Sequence, residues 1–162
     1  MKLFKKFIGD FNTIPGRLTK HFIKNKTIYL DYGHTISAIK VVFEQLKKEN
    51  KRIWTVTGCG GDRDRTKRPI IGDFVTKESY YVIFTEDNNR GEPFENITND
   101  ILAGVKKNNY KVIQNRFEAI KFVIANLKSD DVLLLLGKGI ETTKTIYGNL
   151  NDIEMAKVIL ND

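Results

Sequence analysis

The chain has a single cysteine, Cys59, in 162 residues, so no disulfide can form within it. A lone thiol fits a reducing compartment, the cytoplasm being the expectation. No apolar run approaches the roughly 20 residues of a membrane-spanning helix; the longest, DVLLLLG, is the size of a strand. The start, MKLFKKFIG, is apolar but broken by lysines, and no small-residue cleavage site follows. It reads as the beginning of an amphipathic helix rather than a secretory signal. Two histidines and one cysteine are too few and too scattered for a zinc site. No serine or cysteine nucleophile has a plausible base nearby. The phosphate-cradling pattern G-x-x-x-x-G-K-[ST] is missing, and GCGGDR does not match the dinucleotide fingerprint G-x-G-x-x-G. There is no internal repeat and no low-complexity linker. Together these absences exclude a disulfide scaffold, a membrane span and a self-contained P-loop ATPase.

What is present suits one soluble α/β domain. Hydrophobic residues make up 41% and charged residues 29%, enough for a proper core at this length. The net charge of +7 raises nucleic acid as a partner. However, the lysines are scattered over IKNKT, LKKENKR and VKKNNYK and are not interleaved with aromatics on one face. The balance is read as suiting small anionic ligands, with neither nucleic acid nor membrane as partner.

From residue 26 onward, β-rich runs alternate with segments of helical periodicity. KTIYLDY, RIWTVTG, YYVIFTED, YKVIQ and DVLLLLG read as strands. TISAIKVVFEQLKKEN, RPIIGDFVTKES, PFENITNDILAGVKK, RFEAIKFVIANLKSD and DIEMAKVIL read as helices, with Pro69 in a first turn where a missing N–H costs least. YYVIF and VLLLL lack polar alternation, as strands covered on both faces do. The expected fold is a Rossmann-like, three-layer α/β domain. Its mostly parallel sheet has about six strands, with helices on both faces. Residues 1–25, including DFNTIPGRLTKHFIKN, read as a lead-in with a hairpin, and 26–162 as the domain proper.

In open α/β sheets ligands bind beyond the carboxyl ends of the strands. All four candidate loops there are charged or glycine-rich: DYGHT (Asp31 to Thr35), GCGGDRD (Gly58 to Asp64), EDNNRGEP (Glu86 to Pro93) and GKGIET (Gly137 to Thr142). The opposite ends carry plain connectors such as KKENKR and KSDD. Singly, each loop has an ordinary explanation: Asp31 as a helix cap, His34 with a satisfied ring, Arg63 and Arg90 as solvated charges. Scattered surface charge would not select one edge of the sheet.

The segments IPGR, DYGHT, GCGGDRD followed by KRP, DNNR, NDILAG and GKGIE stand here in an order and spacing that resembles the C-terminal domain of the Mur ligases. The resemblance runs from about Ile14 to the end. It is strongest to the branch that adds the third amino acid to UDP-N-acetylmuramoyl-L-alanyl-D-glutamate. It implies a domain of an ATP- and magnesium-dependent acid–amino-acid ligase of peptidoglycan synthesis, working through an acyl phosphate. Its P-loop and metal ligands would lie in the central domain, which, with the N-terminal domain, this chain is expected to lack. No catalytic residue and no metal ligand is then expected here, and the isolated chain is expected to be inactive. Residues 1–25 would be the hinge from the central domain.

Residue by residue, the resemblance implies nucleotide contacts for Arg17, Asp31 (toward the ribose hydroxyls) and His34. It implies amino-acid contacts for Arg63, Asp87, Asn88 and Arg90, and a grip on the far end of that substrate by Gly137 and Glu141. Lys138 would serve loop shape or local charge. Diaminopimelate enzymes of the family usually show DNPR and lysine enzymes replace the arginine; here the motif is DNNR. The retained Arg90 favours meso-diaminopimelate or a close analogue such as lanthionine, because an arginine fork pairs with a distal carboxylate and repels a distal ammonium. Asn89 in place of proline and Ile140 in place of a common histidine depart from the pattern at the distal end. Two other readings are a non-catalytic amino-acid-binding paralogue and a domain of another amide-ligase branch, such as a polyglutamate or cyanophycin-type synthetase.

Overall fold

Strand β6, Asp131–Leu136, is buried at every position, and its place in the sheet explains why. In the computed structural model, which describes residues 16–162, β6 lies between β2 (Lys26–Asp31) and β3 (Arg52–Thr57) and pairs in parallel with both. β4 (Tyr81–Phe84) and β5 (Tyr110–Val112) extend the sheet in parallel on the far side of β3. β1 (Thr19–Ile23) closes the near edge antiparallel to β2, giving the order β1-β2-β6-β3-β4-β5. The hairpin expected within residues 1–25 is found one strand later, as the β1–β2 pair whose second strand, Lys26–Asp31, lies inside the sheet. Its two-residue turn, Lys24 and Asn25, has φ of 42° and 63°, the left-handed pair that matches strand twist. The amphipathic start expected over MKLFKKFIG lies outside the described residues.

Alternate residues of the parallel strands enter two cores. Leu133 and Leu135, with Ile28, Val56 and Ile83, face α4 (Arg116–Asn126) and α5 (Asp152–Asn161). Val132, Leu134 and Leu136, with Ile53, Val82 and Phe84, face α1 (Ile36–Leu46), α2 (Lys67–Glu78) and α3 (Phe94–Leu102). A strand filling both cores must be apolar at successive positions, which is why β6 reads DVLLLL. Side-chain caps set where three helices begin. Thr35 accepts from the Ala38 amide, Asn115 from that of Glu118, and Asn151 forms a capping box with Glu154.

One element has no counterpart in the sequence reading. Thr143–Thr145 and Gly148–Leu150 pair as a separate antiparallel hairpin, β7–β8, just before α5. Its strands are three residues long and mostly polar, so no period-2 apolar pattern announces them.

Candidate functional site

Parallel strands end together, so the loops after β2, β3, β4 and β6 converge on one edge of the sheet. They enclose a cleft of about 540 Å³ lined by Tyr32, His34, Gly60, Arg63, Asp64, Lys67, Asp87, Asn88, Arg90, Gly137 and Glu141. Both signs of charge face it. Arg63, Lys67 and Arg90 supply cations, and Asp64, Asp87 and Glu141 supply carboxylates. A cleft of this kind fits a zwitterion better than a plain anion.

Each wall is held in place by identifiable bonds. Arg90 sits at φ 48°, and its Nη1 donates to the carbonyls of Gly61 (2.7 Å) and Asn88 (3.4 Å). Anchored at Nη1, the guanidinium keeps its Nε–Nη2 edge without a bond to the described residues, and that edge is one of the two that grips a carboxylate in bidentate fashion. Glu141 accepts from the Tyr32 hydroxyl at 3.0 Å. The backbone beneath it turns at Gly139, φ 54°, where a Cβ would lie 2.0 Å from the Tyr32 ring. Gly137, φ 108°, lets the Asp87 carboxylate come close, since a Cβ there would lie 3.0 Å from Asp87 Oδ2. Lys67 donates to the His34 carbonyl at 3.1 Å, joining α2 to the loop after β2.

The loops after β3 and β4 are locked to each other. The Gly61 amide donates to Asn88 O, the Asp62 amide to Glu92, and the Gly91 amide to Asp62. Beneath them the fully buried Arg68 donates to Glu92 (2.6 and 2.7 Å), Asp100 (2.8 Å) and Gly60 O (3.1 Å). On the opposite face of the sheet, Arg116 pairs with Asp152, both 0% exposed, and reaches the carbonyls of Glu86 and Leu136. The loop holding Asp87 and the one starting at Gly137 thus share one buried guanidinium. Neither arginine was singled out by sequence reasoning; KRP was read as a signature without a role for Arg68.

Of the nine residues named from the sequence, seven line the cleft: His34, Arg63, Asp87, Asn88, Arg90, Gly137 and Glu141. Arg17 is exposed on the entry segment and does not line it. Asp31 is 4% exposed and does not line it either. Its two carboxylate oxygens accept from the amides of Leu18 (2.7 Å) and Gly33 (2.6 Å), tying the entry segment to the end of β2. Burial pushes its carboxyl up, against those two bonds. Lys138 is only 5% exposed. It lies near Glu86, whose carboxyl burial pushes up while Lys138 and Arg116 pull it down. Tyr32, Gly60, Asp64 and Lys67 also line the cleft and had not been picked out. All of them sit inside quoted motifs, DYGHT, GCGGDRD and KRP, so their signal was membership of those segments.

Cys59 opens the loop after β3 but is turned inward, 6% exposed, with its thiol pushed up to about 12 by burial. It is therefore no nucleophile for this cleft. In a thiol-disulfide exchange assay at pH 8, the native chain should react about 100-fold or more slowly than the chain in denaturant. Equal rates would mean the loop opens freely.

Comparison with known proteins places the chain and its fold in a family. The family described as Mur ligase, glutamate ligase domain, matches residues 16–139. UDP-N-acetylmuramoyl-L-alanyl-D-glutamate–2,6-diaminopimelate ligase of Buchnera aphidicola is 39% identical over 156 residues, covering 92% of this chain and 31% of that protein. A ligase of the same name from Clostridium acetobutylicum is 40% identical over 158 residues, covering 92% and 33%. A solved structure of a ligase with that name superposes with a TM-score of 0.80 at 31% identity, covering 96% of this chain and 33% of that one. A folylpolyglutamate synthase of Thermotoga maritima shares the fold at 20% identity, with a TM-score of 0.61 over 77% of the chain. The chain spans about a third of the length of the curated relatives it matches.

Proposed function

We propose that this chain, which belongs to the Mur ligase family as its C-terminal domain, grips the incoming diamino acid of an ATP-dependent peptidoglycan-precursor ligase. The observation that carries the proposal is the two-signed cleft, in which Arg90 is fixed by Gly61 O and Asn88 O with one guanidinium edge free. meso-Diaminopimelate has an ammonium and a carboxylate at each end. Its distal carboxylate pairs with the free edge of Arg90, reinforced by Arg63, and its ammonium groups meet Asp87 and Glu141. Lysine lacks the distal carboxylate and would set an ammonium against the fork.

The acceptor, UDP-N-acetylmuramoyl-L-alanyl-D-glutamate, and ATP are the other small-molecule partners in this reading. ATP supplies the phosphoryl group that makes the acceptor carboxylate reactive. Toward the nucleotide the residues here fit in part. Arg17 and His34 are exposed, whereas Asp31 spends both oxygens on backbone amides. No group of three or more His, Cys, Asp or Glu among the described residues could hold a metal ion. In this reading nucleotide and magnesium are bound mainly by the central domain, which with the N-terminal domain is the partner of this one. This chain's own task is to place the amine and exclude wrong side chains.

A backbone amide NMR titration tests the reading. meso-Diaminopimelate should shift the amides around Arg63, Asn88 and Arg90 with a Kd on the order of millimolar, about 4 kcal/mol, because a cleft completed by other domains offers only some of its contacts here. L-Lysine should shift them less. Arg90→Lys, which keeps the charge and loses the fork, should cost about tenfold in diaminopimelate affinity. A preference for lysine, or an unchanged affinity in Arg90→Lys, would overturn the assignment.

A further inference from the structure

The lysines that look scattered in the sequence are gathered by the topology. The amino ends of the parallel strands all lie at the sheet edge remote from the cleft, and the segments there are 24–26, 47–52, 77–81, 103–110 and 127–131. They hold ten Lys and Arg residues against four acids, a balance of +6 within a chain whose net charge is +7. The carboxyl-end loops 32–35, 58–66, 85–93, 113–115 and 137–142 hold four against six, a balance of −2. Three of the four acids of the basic edge are recessed and paired, Glu49 with Lys20, Glu78 with Lys47 and Asp131 with Arg52, and the fourth, Asp130, is exposed. The cations stand outward.

Lysines near helix carboxyl ends can simply complement the helix dipole. Three here do so: Lys24 donates to Leu160 O, Lys26 to Leu127 O and Lys107 to Lys77 O. Lys48, Lys51, Lys106 and Lys128 are exposed and have no acidic partner among the described residues. Two exposed aromatics share this edge, Phe22 at 71% and Tyr80 at 49%, the latter beneath the Arg52 guanidinium, 4.4 Å from its ring centre.

The geometry points to this edge as a docking surface for an anionic lipid bilayer. Six strands at about 4.8 Å spacing spread the charge over roughly 24 Å, the footprint of an array facing a plane. Nine of the ten cations are lysines, point charges without the fork that reads phosphates or bases in bidentate fashion. No helix or ribbon among the described residues projects from this edge to enter a groove. Phe22 and Tyr80 are suited to the headgroup boundary. Docked this way, the cleft faces away from the membrane.

Co-sedimentation of the full chain with phosphatidylcholine vesicles, with and without phosphatidylglycerol, tests this. Partition should require phosphatidylglycerol and disappear at about 1 M salt, where the Debye length falls to about 3 Å. The triple variant Lys48→Gln, Lys51→Gln, Lys106→Gln should bind about 100-fold more weakly. The triple Lys40→Gln, Lys121→Gln, Lys144→Gln, with the same loss of charge elsewhere on the surface, should bind nearly as wild type. Absence of partition, equal loss in both triples, or tighter binding of a DNA oligonucleotide than of vesicles at the same salt would each overturn the inference.

Discussion

Arg116→Met is expected to destabilise the domain by about 3–5 kcal/mol, because it leaves the Asp152 carboxylate buried without its cation. Both side chains are fully buried, and Arg116 grips Asp152 through two bonds of 2.8 and 2.7 Å. Its remaining contacts go to Glu86 O and Leu136 O, the ends of the two strands that feed the cleft. Water cannot replace the guanidinium there without opening the interface between α4 and α5. Domains of this size are stable by about 5–15 kcal/mol, and each kcal/mol moves Tm by about 2–4 °C. Thermal unfolding should therefore begin roughly 6–20 °C lower. The double variant Arg116→Met, Asp152→Leu removes both charges and should regain most of the loss. A double variant as weak as the single one would show that the carbonyl contacts, not the ion pair, carry the stability.

That pair marks the boundary of what could be read from sequence. The strand runs, the order of elements and the four loops at one edge were legible, because periodicity and glycine placement are local properties. Arg116 reads as an ordinary first-turn helix residue and Asp152 as an ordinary helix start. Only topology sets them together across 36 positions. The same holds for Arg68 and Glu92, 24 positions apart. Asp31 was legible as a residue near the site but not as the anchor of the entry segment, since its partner is the Leu18 amide, 13 residues upstream. The charge pattern was misleading for a related reason. IKNKT, LKKENKR and VKKNNYK look dispersed along the chain, yet parallel strands bring all three to one edge. The β7–β8 hairpin left no trace because its register rests on backbone pairing rather than apolar alternation.

Arg68→Met should loosen the joint between the two halves of the cleft. The Arg68 guanidinium is the joint donor to Gly60 O, Glu92 and Asp100, so its loss removes the buried tie between the loops after β3 and β4 and leaves only their amide bonds and the Arg90 contact. Hydrogen bonds to charged groups contribute about 1.5–3 kcal/mol each, and losing even one from the ligand-ready arrangement weakens diaminopimelate binding about tenfold or more. Acid supplies a second readout. The bonds from Arg68, then the Asp62 amide, hold the Glu92 carboxyl down at about 2 from its ordinary 4.5. The folded state thus favours the ionised form, so this contribution is full above pH 4.5 and lost as pH falls toward 2. In denaturant melts the gap between wild type and Arg68→Met should be widest above pH 4.5 and narrow through that window. Glu92→Gln, which leaves Arg68 its bonds to Asp100 and Gly60 O, should flatten the same part of the profile while keeping more of the ligand affinity than Arg68→Met. A gap that stays constant from pH 5 to pH 2 would mean that Glu92 draws its stabilisation from elsewhere. Arg68 would then act on the cleft through Gly60 O, because Asp100, held down by Arg65 and Arg68, titrates in the same range.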